Sequence, residues 1–154
     1  MAEGFFIIPF EKHLKSHFKR LNEEWLEKYF VVEPYDAQLL ENCEKEIIEK
    51  GGHIFFGCLE DSIIGTYSIL PPKNNVVELG KMAVTASFQG KGYGQQLLHH
   101  AIKTATENGY KQMLLYSNRR LENSIYLYRK FGFIEEQIEK SPYERGNIKM
   151  RLKL

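Results

Sequence analysis

Between Val76 and Gly94 the chain runs strand, glycine-rich turn, helix, and no other segment limits its fold as tightly. The apolar run Val76-Val77-Glu78-Leu79-Gly80-Lys81-Met82-Ala83-Val84 is followed by Gln89-Gly90-Lys91-Gly92-Tyr93-Gly94. From Gly94 onward Leu97, Leu98, Ala101, Ile102 and Ala105 fall on one helical face. Such a turn offers a fan of backbone N–H groups to a phosphate. Glycines allow positive φ and close approach, and the helix N-terminus adds a favourable partial charge. Lys91 contributes a mobile cation to the same turn.

Spacing excludes two familiar phosphate loops. A P-loop needs four residues between its glycines and then Gly-Lys-Ser/Thr, whereas Lys91 is followed by Gly92. The dinucleotide fingerprint needs Gly-x-Gly-x-x-Gly, and here the third glycine arrives one residue early, at Gly94. What remains is Gln-x-x-Gly-x-Gly directly after a strand. That pattern resembles motif A of the GNAT family of acyl-CoA-dependent N-acyltransferases. A second segment, Leu127-Tyr128-Arg129-Lys130-Phe131-Gly132-Phe133, is similar to that family's Leu-Tyr-x-x-x-Gly-Phe. The two motifs stand in family order, about one β-α-β unit apart.

The resemblance implies a single α/β domain over residues 1–154. It would be a mixed, strongly twisted sheet of about six or seven strands flanked by about four helices. It implies acetyl-CoA as co-substrate and transfer of an acetyl or short acyl group to a primary amine, with direct attack in a ternary complex. The cofactor would be held by main-chain groups of Met82, Ala83 and Val84 and by the turn Gln89, Gly90, Lys91, Gly92, Tyr93 and Gly94. Tyr128 takes the place of the residue that protonates the leaving sulfur, a task suited to a phenol whose reference pKa is about 10. Glu78 stands four residues before Met82, where many members carry an acid. A carboxylate in a central strand is costly unless bonded or functional, which agrees with a general base. The family's asparagine seven residues before the tyrosine is replaced by Leu121, so Asn118 and Asn123 are both candidates for its cofactor contact. For the acceptor, the resemblance points to the region near the end of the first helix, where the carboxylates and rings among Asn22, Glu24, Trp25, Tyr29 and Glu33 would hold a cation. Tyr143 in Ser141-Pro142-Tyr143 offers a further wall. A non-catalytic acyl-CoA sensor on the same scaffold is the alternative; it has no use for Glu78 or Tyr128.

Periodicity fills in the remaining elements. Phe5 to Phe10 is a strand stopped by Pro9, and Leu14, Phe18, Leu21, Trp25 and Tyr29 mark a helix from Glu11 to Phe30. Asp36 is positioned to N-cap a second helix running to Lys50. His53–Glu60 and Ile63–Leu70 form a hairpin about Asp61-Ser62. Lys111–Tyr116 is expected parallel to the Glu78 strand, because a helix joins them. Arg120–Lys130 is a helix, and Phe133–Lys140 with Asn147–Leu154 form a last hairpin-like pair.

The 154 residues should bury roughly 70% of their unfolded surface, enough for a core without disulfides or metal. With 21 basic and 20 acidic residues there is no electrostatic case for nucleic acid or an anionic membrane. Cys43 and Cys58 read as small core residues of a reducing compartment. With no signal peptide and no membrane-length apolar run, the expected location is cytoplasmic. His13 and His17 share an i, i+4 spacing but lack a third ligand, so no metal is expected. His99 and His100 are assigned to the solvent face of their helix. By the resemblance the acceptor would be a small-molecule amine or a peptide or protein amine, and a homodimer through the late strands would suit the fold.

Overall fold

Runs of β-branched and aromatic residues make the strands, and apolar residues at three- and four-residue spacing make the helices. In the computed structural model, which describes residues 4–154, these are β1 (Phe5–Pro9), α1 (Lys15–Tyr29), α2 (Pro34–Glu41), β2 (His53–Leu59), β3 (Ser62–Ile69), β4 (Val76–Val84), α3 (Tyr93–Glu107), β5 (Gln112–Ser117), α4 (Glu122–Lys130), β6 (Ile134–Glu136) and β7 (Ile148–Lys153). The strands join in one sheet ordered β1-β2-β3-β4-β5-β7-β6. β1 to β4 are antiparallel, β4 and β5 are parallel, and β5, β7 and β6 are antiparallel again.

Each face of the sheet carries its own core. Leu97, Leu98, Ala101 and Ala105 of α3 pack with Tyr67, Ile69, Val77, Leu79, Met113 and Met150. On the other face Phe18 and Leu26 of α1 and Leu39 and Leu40 of α2 meet Ile54, Phe56 and Cys58 of β2. Phe55, between Ile54 and Phe56, packs against the α3 cluster instead, as the period of two requires.

Several boundaries differ from expectation. A 3₁₀ turn at Lys12–Leu14 precedes α1, so His13 lies outside α1 and His17 bonds to Arg20 through Nδ1 at 3.0 Å. Asp36 is not the N-cap of α2. Pro34 fills the first turn, and the Asp36 carboxylate accepts the Glu33 main-chain N–H at 2.9 Å from the third helical position. The helix expected to reach Lys50 breaks at Asn42 and continues as a π-helical turn, Glu44–Ile48. The β2–β3 hairpin turns on Glu60 and Asp61, with Glu60 at φ 54°. β6 keeps only three of its expected residues, because the chain leaves the sheet to form the loop that carries Tyr143 and Arg145. His100 does not face solvent: Nδ1 lies 2.7 Å from the Tyr67 hydroxyl, and the ring packs on Phe55 at 4.7 Å. Cys43 and Cys58 are buried and form no disulfide. No helix of the described residues is long and apolar enough to cross a membrane.

Candidate active site

β4 and β5 pair only at Val76–Glu78 with Gln112–Leu114, although β4 runs on to Val84 and β5 to Ser117. The departure coincides with a bulge. Thr66 pairs with Ala83 and Ser68 with Gly80, so β4 has one residue more than β3 in that interval, and Lys81 takes φ 53°. A bulge bends its strand and increases the local twist. Beyond it the two strands part around a cleft of about 670 Å³.

The bulge also changes which face each side chain meets. Val77 and Leu79 pack toward α3, and so do Met82 and Val84. Unbroken alternation would put residues 77 and 82 on opposite faces, and would send Lys81 toward α3. Instead the Lys81 ammonium reaches the opposite face, where it pairs with Asp36 of α2 and lies 3.3 Å from the Tyr143 hydroxyl. Arg145 completes the group, with bonds of 2.6 and 2.8 Å to Asp36 and 3.2 Å to Glu33. Glu33 in turn accepts the main-chain N–H groups of Glu144 at 2.9 Å and Arg145 at 3.3 Å. Two carboxylates and two cations thus join β4, the start of α2 and the late loop. Burial alone would raise the pKa of Asp36; hydrogen bonds from Arg145 and Lys81 outweigh it and hold the carboxyl below its usual range. Burial pulls the Lys81 ammonium down, against the attraction of Asp36.

Glu78 lies in the same cleft, its carboxylate without a hydrogen-bonding partner among the described residues. Burial pushes its carboxyl up to about 7, with Lys81 and Lys149 opposing. Tyr128 of α4 lines the cleft too, its ring edge-on to Phe133 at 5.8 Å. Burial raises the phenol to about 12, so it keeps its proton through the neutral range.

Of the glycine turn, Gln89, Gly90, Gly92 and Gly94 line the cleft. Gly90 at φ 77° and Gly92 at φ 89° are left-handed, and a Cβ at either would meet nothing within 4 Å. Conformation rather than crowding therefore selects glycine there, and open space lies where a side chain would project. Gly92 begins α3 with no side chain capping the first N–H groups. The Gln89 amide donates to the Val84 carbonyl at 2.8 Å and ties the turn to the end of β4. Two turn side chains point elsewhere: Tyr93 is buried against Phe5 at 4.8 Å, and the Lys91 ammonium sits 5.5 Å from the Phe88 ring.

Met82, Ala83, Val84, Trp25, Tyr29, Tyr143, Asn118 and Asn123 all line the cleft. The Asn118 amide is already committed, donating to the Arg145 carbonyl at 2.7 Å and accepting the Arg120 main-chain N–H at 2.8 Å. Asn123, exposed in the first turn of α4, has no such bond. Three acceptor-wall candidates do not line the cleft. Asn22 is fully buried within α1, donating to the Phe18 carbonyl at 2.9 Å and accepting Trp25 Nε1–H at 3.0 Å. Glu24 is turned to Thr85 Oγ1 and the Ala86 N–H at 2.8–3.0 Å. Glu33 belongs to the ion-pair group. Lys81 and Arg145 were missed, although the argument that singled out Glu78, a charge inside an apolar strand, applies to Lys81 as well. Among the described residues no three His, Cys, Asp or Glu side chains gather as a metal site.

A seven-stranded mixed sheet whose parallel central pair parts beside a glycine-rich helix start defines an acyltransferase of the N-acetyltransferase class. Comparison with known proteins agrees. The chain belongs to the acetyltransferase (GNAT) family, whose model matches residues 18–133. An uncharacterized N-acetyltransferase of Bacillus subtilis, YvbK, is 30% identical over 110 residues, 70% of this chain and 71% of that one. Two further bacterial relatives, 28% and 31% identical, are matched over 55% and 50% of their own length. A GNAT-family acetyltransferase of Staphylococcus aureus Mu50 has the same fold at TM-score 0.86 and 21% identity, covering 97% of this chain and 98% of that one. The PaiA N-acetyltransferase of Thermoplasma acidophilum, solved with coenzyme A, aligns at TM-score 0.76 and 19% identity over 100% of both chains.

Two stability experiments follow from the buried charges. Lys81→Met leaves Asp36 with one cation fewer and should cost about 3–5 kcal/mol in urea unfolding. The charge-balanced pair Asp36→Asn with Lys81→Met should recover part of that loss. Glu78 acts in the opposite direction. The folded protein holds its proton from the ordinary value of 4.5 up to about 7, while the unfolded chain has released it. The ionised carboxylate therefore costs stability as pH rises through that window. Glu78→Gln should melt a few degrees above wild type at pH 8 and show little difference near pH 4.5.

Proposed function

We propose that this enzyme transfers an acetyl or other short acyl group from acyl-CoA to a primary amine, with both substrates bound together. The carrying observation is that Glu78 and Tyr128 line one cleft between the parted strands β4 and β5. The residues present fit acyl-CoA on three counts. The uncapped start of α3 with the open Gly90 and Gly92 suits a pyrophosphate. The β5-facing edge of β4 at Met82–Val84 lacks a strand partner, so its main-chain groups suit the amides of a pantetheine arm. Asn123 is the free amide of the α4 rim, in keeping with a cofactor contact there.

Bound acyl-CoA supplies an activated thioester, and the chain supplies proton control and orientation. Glu78, whose carboxyl titrates near neutrality, takes the proton that an ammonium must lose before its nitrogen can attack, directly or through one water. Main-chain N–H groups of Met82–Val84 are the donors for negative charge developing on the carbonyl oxygen. Tyr128 keeps its proton at neutral pH and gives it to the departing sulfur. Trp25, Tyr29 and Tyr143 wall the acceptor side. No residue is acylated, because Cys58 is buried within β2 and its thiol is pushed up by burial.

Calorimetric titration should give micromolar acetyl-CoA binding that is lost when Gly90 and Gly92 are replaced by valine in a still-folded protein. Tyr128→Phe should lower kcat by about 10²–10⁴-fold with acetyl-CoA affinity unchanged. An unchanged kcat would remove Tyr128 from the mechanism. In wild type, log kcat/KM should rise with pH through an apparent pKa near 7, and Glu78→Gln should abolish that limb.

A further inference from the structure

The carboxylates that the sequence offers to a cationic acceptor are committed inside the protein. Glu24 holds Thr85 and Ala86, while Glu33 and Asp36 are neutralised by Arg145 and Lys81. What the acceptor wall presents instead is a continuous run of guanidinium groups and aromatic rings. Arg120 lies 5.2 Å from the Phe30 ring, Phe30 meets Trp25 edge-on at 6.2 Å, Trp25 lies 5.5 Å from Arg145, and Arg145 lies 4.4 Å from Tyr143. All five line the cleft.

The two arginines differ in one respect. Arg145 is consumed by Glu33 and Asp36, whereas Arg120 has no carboxylate within ion-pair distance among the described residues; Glu122, two residues on along the same rim, does not pair with it. Arg120 is nonetheless held in place. Its main-chain N–H bonds to Asn118 Oδ1 at 2.8 Å, and one guanidinium nitrogen donates to the Tyr29 carbonyl at 2.9 Å. One bond out of five donors leaves most of a planar, pre-positioned fork open at the seam between α1 and the β5–α4 connection.

We propose that the acceptor is a small amine that also carries a carboxylate, of the α-amino acid class, and that Arg120 is the residue that selects it. The inference rests on the acyl-transfer reading above. Arg120 receives the carboxylate as a forked, charge-assisted pair, Phe30 and Trp25 take the apolar side chain, and the amino group is left in the cleft that Glu78 also lines. Polyamines and other polycations meet an unpaired guanidinium where the amino acid places its carboxylate, which disfavours them there.

The test is thiol release from acetyl-CoA with matched acceptors: L-phenylalanine, L-methionine and L-glutamate against phenethylamine and spermidine. At least one amino acid should exceed phenethylamine and spermidine in kcat/KM by about 10–100-fold, the worth of a charge-assisted bond. Arg120→Gln should erase that margin through KM for the amino acids, while phenethylamine, which has no carboxylate to lose a partner, is affected far less. Arg120→Lys should keep only part of it, because the charge remains and the fork is lost. Equal or better use of phenethylamine or spermidine overturns the proposal. So does a margin that survives Arg120→Gln, and so does failure of every amino acid with a protein that binds acetyl-CoA. Absence of acetyl-CoA binding by calorimetry is a different outcome, because it removes the acyl-transfer reading itself.

Discussion

The buried contact between Lys81 and Asp36 fixes more of this molecule than any other single interaction. A lysine in the middle of a central strand has two tolerable fates: neutralisation, or a partner that outweighs the loss of water. Here the partner lies across the cleft floor, at the start of α2, and the strand must bulge to let the side chain reach it. The bulge and the ion pair are therefore one feature. From it follow the bend in β4, the end of its pairing with β5 after Glu78, and the cleft between them.

The same contact ties three distant segments to the floor of the cleft. Asp36 comes from the first turn of α2, Lys81 from β4, and Arg145 with Tyr143 from the loop before β7. Each charge in the group is satisfied by the others. Such a network gains little net stability over an apolar core, but it admits few alternative arrangements. For an acyltransferase site that must orient two substrates, rigidity of the supporting shell matters more than its energy.

Glu78 and Tyr128 gain their properties from the same enclosure. Both lack a protein partner for the titrating group, and burial moves both upward, to about 7 and about 12. The consequences are opposite in use: the carboxyl becomes able to exchange a proton near neutrality, while the phenol becomes surer to keep its own. Two groups in one cleft with pKa values pushed to separate ranges are the usual physical basis for dividing acid and base duties.

Much of this was legible in the chain, because local rules carry it. Three glycines in five residues after an apolar strand require a left-handed turn into a helix, and Gly90 and Gly92 adopt it. The helix between the Glu78 strand and Lys111–Tyr116 required a parallel pair, and β4–β5 is that pair. What the sequence could not decide was partnership. Asn22 and Glu24 look like any polar residues of an amphipathic helix, and only the folded chain shows their oxygens turned to Trp25, Thr85 and Ala86. Alternation by two puts Glu78 and Lys81 on opposite faces of β4. One extra residue in the strand reverses that, and the reason lies 45 positions away, in a carboxylate that periodicity could not connect to it.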